Sequence, residues 1–423
     1  MATCDQDMID RISCMGKKAR AAAAQLVTLN GGIRNNALLA MAEGLLAQRP
    51  LILAANEEDV SIARKDGLAS AMIGRLELTE KKIDAMARSI REIAAQVDPV
   101  GQALEAYDRP NGLRIEKRRV PIGVIGIVYE SRPNVTSDAA ALCLKSANAC
   151  ILRGGKESMR SNMAIAAVVR QSLDIAGINP DAVQLIETTD RTAVGALVTA
   201  EGLVDLVIPR GGESLIRAVV EQATIPVIKH YRGVCHIYLD QYADTDMAVK
   251  VALSAKVDGC GVCNTAECIL VHAAIAEKVL PALGKRYREA GVQMRADAAS
   301  LRYLPGGVPA ADSDWGTEFL DMIVAIRQVD SLDAAIEHIN RYGSQHTDAI
   351  ITENLENARN FTARVDSASV MVNASTRWAD GYEYGLGAEI GISTDKLHAR
   401  GPMGAADLCT YKFVVTGNGH IRK

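Results

Sequence analysis

IGVIGIVYESRPNVTSDAAALCLKSANACILRGGKES, residues 122–158, holds an apolar run of strand length, a helical segment and a second apolar run in immediate succession. IGVIGIVY does not alternate apolar with polar residues, so both of its faces must be covered. SDAAALCLKSAN carries its apolar residues at helical spacing, and ACILRG reads as the next strand. Two strands joined by a helix run parallel, because the crossover returns the chain to the same end of the sheet. The pattern continues downstream. ESMRSNMAIAAVVRQSLDIAG is a helix ended by Gly177, and AVQLIE, TAVGALVTAEG, DLVIPRGG and SLIRAVVEQA keep the alternation. A second alternating block opens near His236 with HIYLD, a helix through Val249 and Ala255, and AECILVH. It runs on through AIAEKVLPALGKRYREAG, DMIVAIRQV, SLDAAIEHINRYG, TDAIIT, NLENARNFTARV and SASVMVN. At 423 residues the chain is too long for one ordinary core. The reading is two α/β domains in series, each with a parallel sheet covered on both faces. Such sheets bind ligands at the carboxyl ends of their strands.

Upstream the sequence is helical. Ile9, Ile12, Met15, Ala19, Ala22 and Leu26 recur at helical spacing, and Leu38 to Leu46 form a second helix that Pro50 should stop. Asn56 before Glu57 and Glu58 reads as a helix start, and Thr79 as the cap of a helix with Ile83, Met86, Ile90, Ile93 and Val97 on one face. RPNGLRIEKRRV, residues 109–120, places an Asn-Gly turn between two polar segments, a hairpin whose flanks are too charged for a core. The Gly-rich tail after Ala399 ends in TYKFVVTG, one more strand and a candidate partner for that hairpin.

Composition narrows the function. Hydrophobic residues make up 48% and charged residues 23%, which argues against wholesale disorder. A net charge of −4 and only 4% aromatic residues give no reason to expect nucleic acid as a partner. No window reaches the roughly 18 apolar residues of a membrane span, and MATCDQDMID lacks the pattern of a signal peptide. The expectation is a cytoplasmic protein with no membrane partner. The nine cysteines are odd in number, which fits a reducing compartment and buried fillers better than a disulfide framework.

Four segments carry candidate chemistry. In CILRGGKES, Gly154 and Gly155 follow a strand and precede a helix, where backbone N–H groups can approach a phosphate beside Lys156. VIPRGGES repeats the design with Arg210, Gly211 and Gly212. Neither segment is a Walker loop or a GxGxxG motif; a tight turn is the plain alternative for each, and two together favour a nucleotide site. In DGCGVCNTAEC, Cys263 sits in a Gly-rich turn before a strand, with N–H donors that could hold an oxyanion; an idle cysteine is the alternative. Cys260, Cys263, Cys268 and His272 also have a zinc-like spacing, but the last two fall inside an apolar strand, so no metal is expected. In YESRPNVTSD, Arg132 follows an apolar strand and could bind a carboxylate or phosphate with its planar fork, or simply face solvent. The loop from VNASTR through GLGAEIGIST to KLHARGPMG is long and rich in Gly, Ser and Thr, a composition that favours function.

These segments, with GVCHIYLD, GVCNTAECILVH and GSQHTDAI, stand in an order that resembles the gamma-glutamyl phosphate reductases of the aldehyde dehydrogenase superfamily. The likeness runs from about residue 100 to the C-terminus. It implies an aldehyde-dehydrogenase-like α/β fold: an NADPH-binding domain from residues 1–108 and 121–228, a catalytic domain from 229–399, and a small β oligomerisation flap from 109–120 and 400–423. It implies Cys263 as nucleophile, with Asn264 and Arg132 beside the reaction, and NADPH against Lys156, Gly154, Gly155, Arg210, Gly211 and Gly212. The implied substrate is L-glutamyl 5-phosphate, reduced to L-glutamate 5-semialdehyde in proline biosynthesis, with glutamate 5-kinase as a candidate partner and a homo-oligomer as the assembly. The alternatives are another acylating semialdehyde dehydrogenase, using acyl-CoA or another acyl phosphate, and a zinc-binding module. Two departures matter. Asp258, Gly259 and Cys260 stand where relatives carry Gln-Arg-Pro. IKHYRGVCHIY also lacks the Glu that hydrolytic relatives use to activate water.

Overall fold

The computed structural model describes residues 6–422, so Cys4 lies outside the described residues. The chain divides into two compact units. The first is the chain up to Lys229 with Gly385–Gly391 and the chain from Met403; the second is His230–Tyr384 with Ile392–Pro402. The grouping of Gly385–Gly391 differs from the expected 229–399 block. Ser89 Oγ donates to the Gly387 carbonyl at 2.9 Å, Gln96 Nε2 to that of Gly385 at 3.3 Å, and Glu389 pairs with Arg210 at 3.3 Å. Ile392–Ser393 turns back to pair with Gly401–Pro402 in the second unit, so the returning tail starts at Met403 rather than 400.

The first unit is built on a parallel sheet in the order Val183–Leu185, Ala149–Arg153, Val124–Tyr129, Leu206–Arg210. Every residue of Val124–Tyr129 and Ala149–Arg153 is buried, which is why neither strand alternates in sequence. The helices follow their apolar stripes. Thr79 caps Glu80–Ala95 by accepting from Lys82 N–H, and Ile83, Met86, Ile90 and Ile93 of that helix are buried. Val97 falls past the helix end and is exposed.

Two local expectations are corrected. Pro50 does not merely stop a helix; it sits in the first turn of the next, Arg49–Lys65, where no intrahelical N–H is needed. Asn56 lies inside that helix rather than at its start. It is buried, and it donates to the Leu76 carbonyl at 2.9 Å while accepting from Leu78 N–H at 2.7 Å. A side-chain amide that fastens a distant backbone segment looks, in sequence, like one that caps its own helix.

The hairpin is longer than read, Ala103–Asp108 against Arg114–Pro121, with Gly112 at φ +87° in its turn. Cys409–Thr416 pairs antiparallel with Arg114–Pro121 and completes a three-stranded sheet. Leu104, Tyr107, Tyr411, Phe413 and Val415 are exposed on it.

The second unit holds a seven-stranded parallel sheet. Its order is Val308–Pro309, Gln293–Ala296, Ile323–Val329, Ala266–His272, Cys235–Leu239, Thr347–Ile351, Ser369–Val372. The first two strands were not legible in sequence, being short and, for Val308–Pro309, exposed. Ala266–His272 is buried throughout. No single helix among the described residues is long and apolar enough to cross a membrane.

Candidate active site

In the second unit the strands Thr347–Ile351, Cys235–Leu239 and Ala266–His272 are adjacent and parallel. The residues just before each therefore meet at one edge, the amino edge of the sheet. His346 precedes the first, His230 and Gly233 the second, and Cys263 the third. This is opposite to the expectation that ligands gather at the carboxyl ends. A ring nitrogen of His230, a ring nitrogen of His346 and Cys263 Sγ all lie within 4.8 Å of one another. The two imidazoles meet edge to face, centroids 5.5 Å apart.

Backbone contact fixes the Cys263 turn. Gly233 passes so close to Cys263 that a Cβ on it would lie 1.9 Å from the Cys263 carbonyl oxygen. Cys235 Sγ donates to that same carbonyl at 3.2 Å. Burial, with the charges of Asp348, Cys263 and Glu267 adding to it, pushes the Cys235 thiol well above its ordinary range, so it stays a donor rather than a rival thiolate. Thr265 Oγ1 donates to the Gly259 carbonyl at 2.7 Å and closes the other side of the turn.

Asn264 is 4% exposed and its side chain is committed. Nδ2 donates to the carbonyls of Arg377 and Ala379 at 3.3 and 3.1 Å, and Oδ1 accepts from Arg377 Nη1. Arg377 also donates from Nε to the Asp258 carbonyl at 2.9 Å. The VNASTR segment thus clamps the Cys263 turn through Arg377, to which the sequence assigns no role. His230 and His346 were missed in the same way. They lie inside quoted motifs, IKHYRGVCHIY and GSQHTDAI, but nothing in the sequence places them beside Cys263. Glu318 accepts from Gly233 N–H at 2.8 Å on the other side of this segment.

The zinc-like set does not assemble. His272 Nδ1 accepts from Ala274 N–H at 3.1 Å as a helix cap, and Cys268 lies instead with His236 and His338. Cys260 and Cys263 are both free thiols, each partly exposed.

In the first unit the expected residues stand at carboxyl ends of strands. Arg132 follows Val124–Tyr129, Gly154 and Gly155 follow Ala149–Arg153, and the Gly211–Gly212 turn follows Leu206–Arg210. A side chain on either glycine of the first turn would have to displace a neighbouring side chain. A Cβ on Gly154 would meet Asn162 Nδ2 at 2.1 Å, and one on Gly155 would meet Glu157 Oε1 at 2.1 Å. Lys156 is exposed beside them, while Glu157 folds back and accepts from Ser131 N–H and Oγ–H at 2.7 and 2.6 Å. The second turn differs from the expectation in detail. Glu130 accepts from Gly212 N–H at 2.9 Å, and the Arg210 guanidinium holds Glu389. What Arg210 does most visibly is tie Gly385–Gly391 to its unit.

Asp138, on the helix Asn134–Lys145 that follows Arg132, is a titratable group in the same region. Burial pushes its carboxyl up from 3.8 to about 6, against the hydrogen bond from Asn134 and the charge of Arg210. A folded pKa raised above the unfolded one gives stability that is full below pH 3.8 and lost as pH rises through about 6. The loss is at most about 3 kcal/mol, from roughly two units at ~1.4 kcal/mol each. Asp138→Asn should therefore gain in Tm relative to wild type between pH 4 and 7, read by thermal melts; a constant difference would place Asp138 in solvent.

The arrangement can form and hold a covalent acyl thiol. The model of the aldehyde dehydrogenase family matches residues 3–300. A crystal structure of gamma-glutamyl phosphate reductase from Thermotoga maritima is 44% identical, with TM-score 0.94, over 97% of this chain and 100% of that one. The gamma-glutamyl phosphate reductase of Saccharomyces cerevisiae is 31% identical, with TM-score 0.54, over 97% and 98%. An acetylating aldehyde dehydrogenase from Geobacillus thermoglucosidasius, at 17% identity and TM-score 0.69 over 100% of both chains, shares the fold. By sequence and architecture, this chain belongs to the aldehyde dehydrogenase family, among its gamma-glutamyl phosphate reductases.

Proposed function

We propose that the protein reduces L-glutamyl 5-phosphate to L-glutamate 5-semialdehyde with NADPH, through a thioester on Cys263. The observation that carries the substrate is the 44% identity over the whole of a gamma-glutamyl phosphate reductase. The chemistry rests on the half-buried thiol in a turn held from both sides. Covalent catalysis divides one hard displacement into two easier steps. Cys263 Sγ attacks the acyl carbon, backbone N–H groups of the turn stabilise the oxyanion by about 3 kcal/mol per donor, and phosphate leaves. When bound, the reduced nicotinamide supplies the hydride that converts the thioester to the aldehyde. Arg132, at its strand end, is the group for the substrate's phosphate or carboxylate.

The residues fit a phosphate-bearing dinucleotide. Lys156 is the exposed cation beside Gly154 and Gly155, while the Glu157 carboxylate lies against Gly155 and is held there by Ser131. Glu130 and Glu157 are hydrogen-bond acceptors suited to sugar hydroxyls rather than phosphate. Lys156 would then face the phosphates, while Glu130 occupies the Gly211–Gly212 turn as an acceptor for a sugar hydroxyl and Arg210 keeps its structural pair.

We assign the remaining context on the same footing. The exposed apolar side chains of the three-stranded sheet make it the face for a homo-oligomer. A kinase acting on the glutamate side chain, glutamate 5-kinase, supplies the substrate, and the cytoplasm is the compartment.

The test is reduction of NADP⁺ by purified protein given glutamate 5-semialdehyde. Rate should require inorganic phosphate, because only phosphate returns the thioester to the acyl phosphate. Equal rates without phosphate would make water the acceptor and the enzyme an ordinary aldehyde dehydrogenase; a rate restored only by coenzyme A would move the substrate to an acyl-CoA.

A further inference from the structure

We infer that His230 is the proton carrier of the Cys263 thiol, taking its proton when the thioester forms and returning one when the aldehyde is released. The inference rests on the thioester reading above and adds the acid–base group that reading lacks.

His230 Nδ1 lies 2.7 Å from the Ile392 carbonyl oxygen. A carbonyl only accepts, so Nδ1 carries the hydrogen, and in the neutral ring Nε2 is left as the basic nitrogen. The ring is thus held in one tautomer by a backbone atom, in a cluster where one ring nitrogen of each imidazole and the Cys263 sulfur lie within 4.8 Å of one another. His230 is partly exposed, so its proton can exchange with water, whereas His346 is fully buried against it. His346 Nδ1 is 2.9 Å from Thr347 Oγ1, and its ring is the wall that holds His230 beside the sulfur. Among the titratable groups on the elements around His230 are Cys263 on its turn, Cys235 and His236 on the strand it leads into, Glu318 on the Gly233 N–H, and Asp348 beyond His346. Asp395 lies on the segment that carries Ile392, and Lys229, Tyr231 and Arg232 flank His230 itself. Cys235 is held protonated by burial, which leaves Cys263 as the thiol with a base at hand.

The steps balance. The Cys263 S–H bond breaks with its proton passing to His230 Nε2, and an S–C bond forms at the acyl carbon. The C–O bond to phosphate then breaks, its electron pair leaves on oxygen, and His230 returns the proton to give hydrogen phosphate. In the second half the thioester carbon is reduced by a hydride from a reduced nicotinamide, which is oxidised. The C–S bond breaks with the pair on sulfur, and a proton from water, carried by His230, restores the thiol.

The experiment follows alkylation of Cys263 by iodoacetamide as a function of pH, read by mass spectrometry of its peptide with Cys260 as the internal reference, in wild type and His230→Asn. Asparagine keeps a donor for the Ile392 carbonyl but titrates nowhere near neutrality. Expected are an alkylation rate at pH 7 lower by about tenfold, a pH profile that differs from wild type, and kcat lower by ~10²-fold with KM nearly unchanged. A wild-type pH profile and kcat in His230→Asn would overturn the assignment. If His230→Asn does not fold by circular dichroism, His230→Gln is judged on the same profile. The two readings separate cleanly: activity retained by Cys263→Ser removes the thioester itself, whereas an inactive Cys263→Ser with an unaltered His230→Asn profile removes only the proton carrier.

Discussion

Cys263→Ser is expected to lower turnover at least ~10³-fold while leaving NADPH binding intact. The hydroxyl is nearly isosteric with the thiol, so the turn, held by the contact with Gly233 and the hydrogen bond from Cys235, should keep its shape. What changes is nucleophilicity: a serine hydroxyl at neutral pH is a far weaker nucleophile than a thiol with a base beside it. Steady-state kinetics together with a titration of NADPH fluorescence check both halves of the expectation. Comparable turnover in the variant would remove Cys263 from the chemistry. Loss of cofactor binding as well would mean that the substitution had disturbed the fold.

Gly233→Ala should be nearly as damaging for a different reason. The added methyl would stand 1.9 Å from the Cys263 carbonyl oxygen and 2.6 Å from its Cα. Those are backbone atoms, so no side-chain rotation relieves the clash, and the nucleophile turn must shift. Overpacking of this kind costs about 1–3 kcal/mol or more, and a displacement near 1 Å at a reacting atom costs on the order of 10²-fold in rate. The expected result is a kcat lower by ~10²-fold or more together with a lower Tm. Alkylation of Cys263 should still occur in the folded variant, since the thiol is present but misplaced. An alanine variant with wild-type kcat would show that the approach of the two segments is looser than described.

Gly385–Gly391 shows where reading along the chain stops short. Nothing in GLGAEIGIST marks a boundary, because the segment lacks periodicity and its hydrogen bonds go to residues about 180 to 300 positions away. Asn56 shows the complementary failure. Its local context is that of a helix start, and only the backbone of Leu76 and Leu78, brought against it by packing, overrides the local preference.

By itself the sequence determined the buried parallel strands, because a strand covered on both faces cannot alternate and Val124–Tyr129 and Ala149–Arg153 do not. It determined the glycine turns after those strands, since a missing side chain is visible as a letter, and it marked Cys263 as the thiol of interest in a Gly-rich turn. The tertiary structure alone decided what surrounds that thiol. His230, Gly233, Cys263 and His346 span 117 positions by number, from 230 to 346 counted inclusively, and they meet because three parallel strands lie side by side and share an amino edge. Strand order in a sheet is set by which apolar faces pack together, a property of the whole core that no local window contains. For the same reason the sequence could name Asn264 and Arg210 but not their partners. Each turned out to fasten a distant segment, Arg377 to Ala379 and Glu389, because a polar side chain that becomes buried must find its hydrogen bonds wherever the fold brings them.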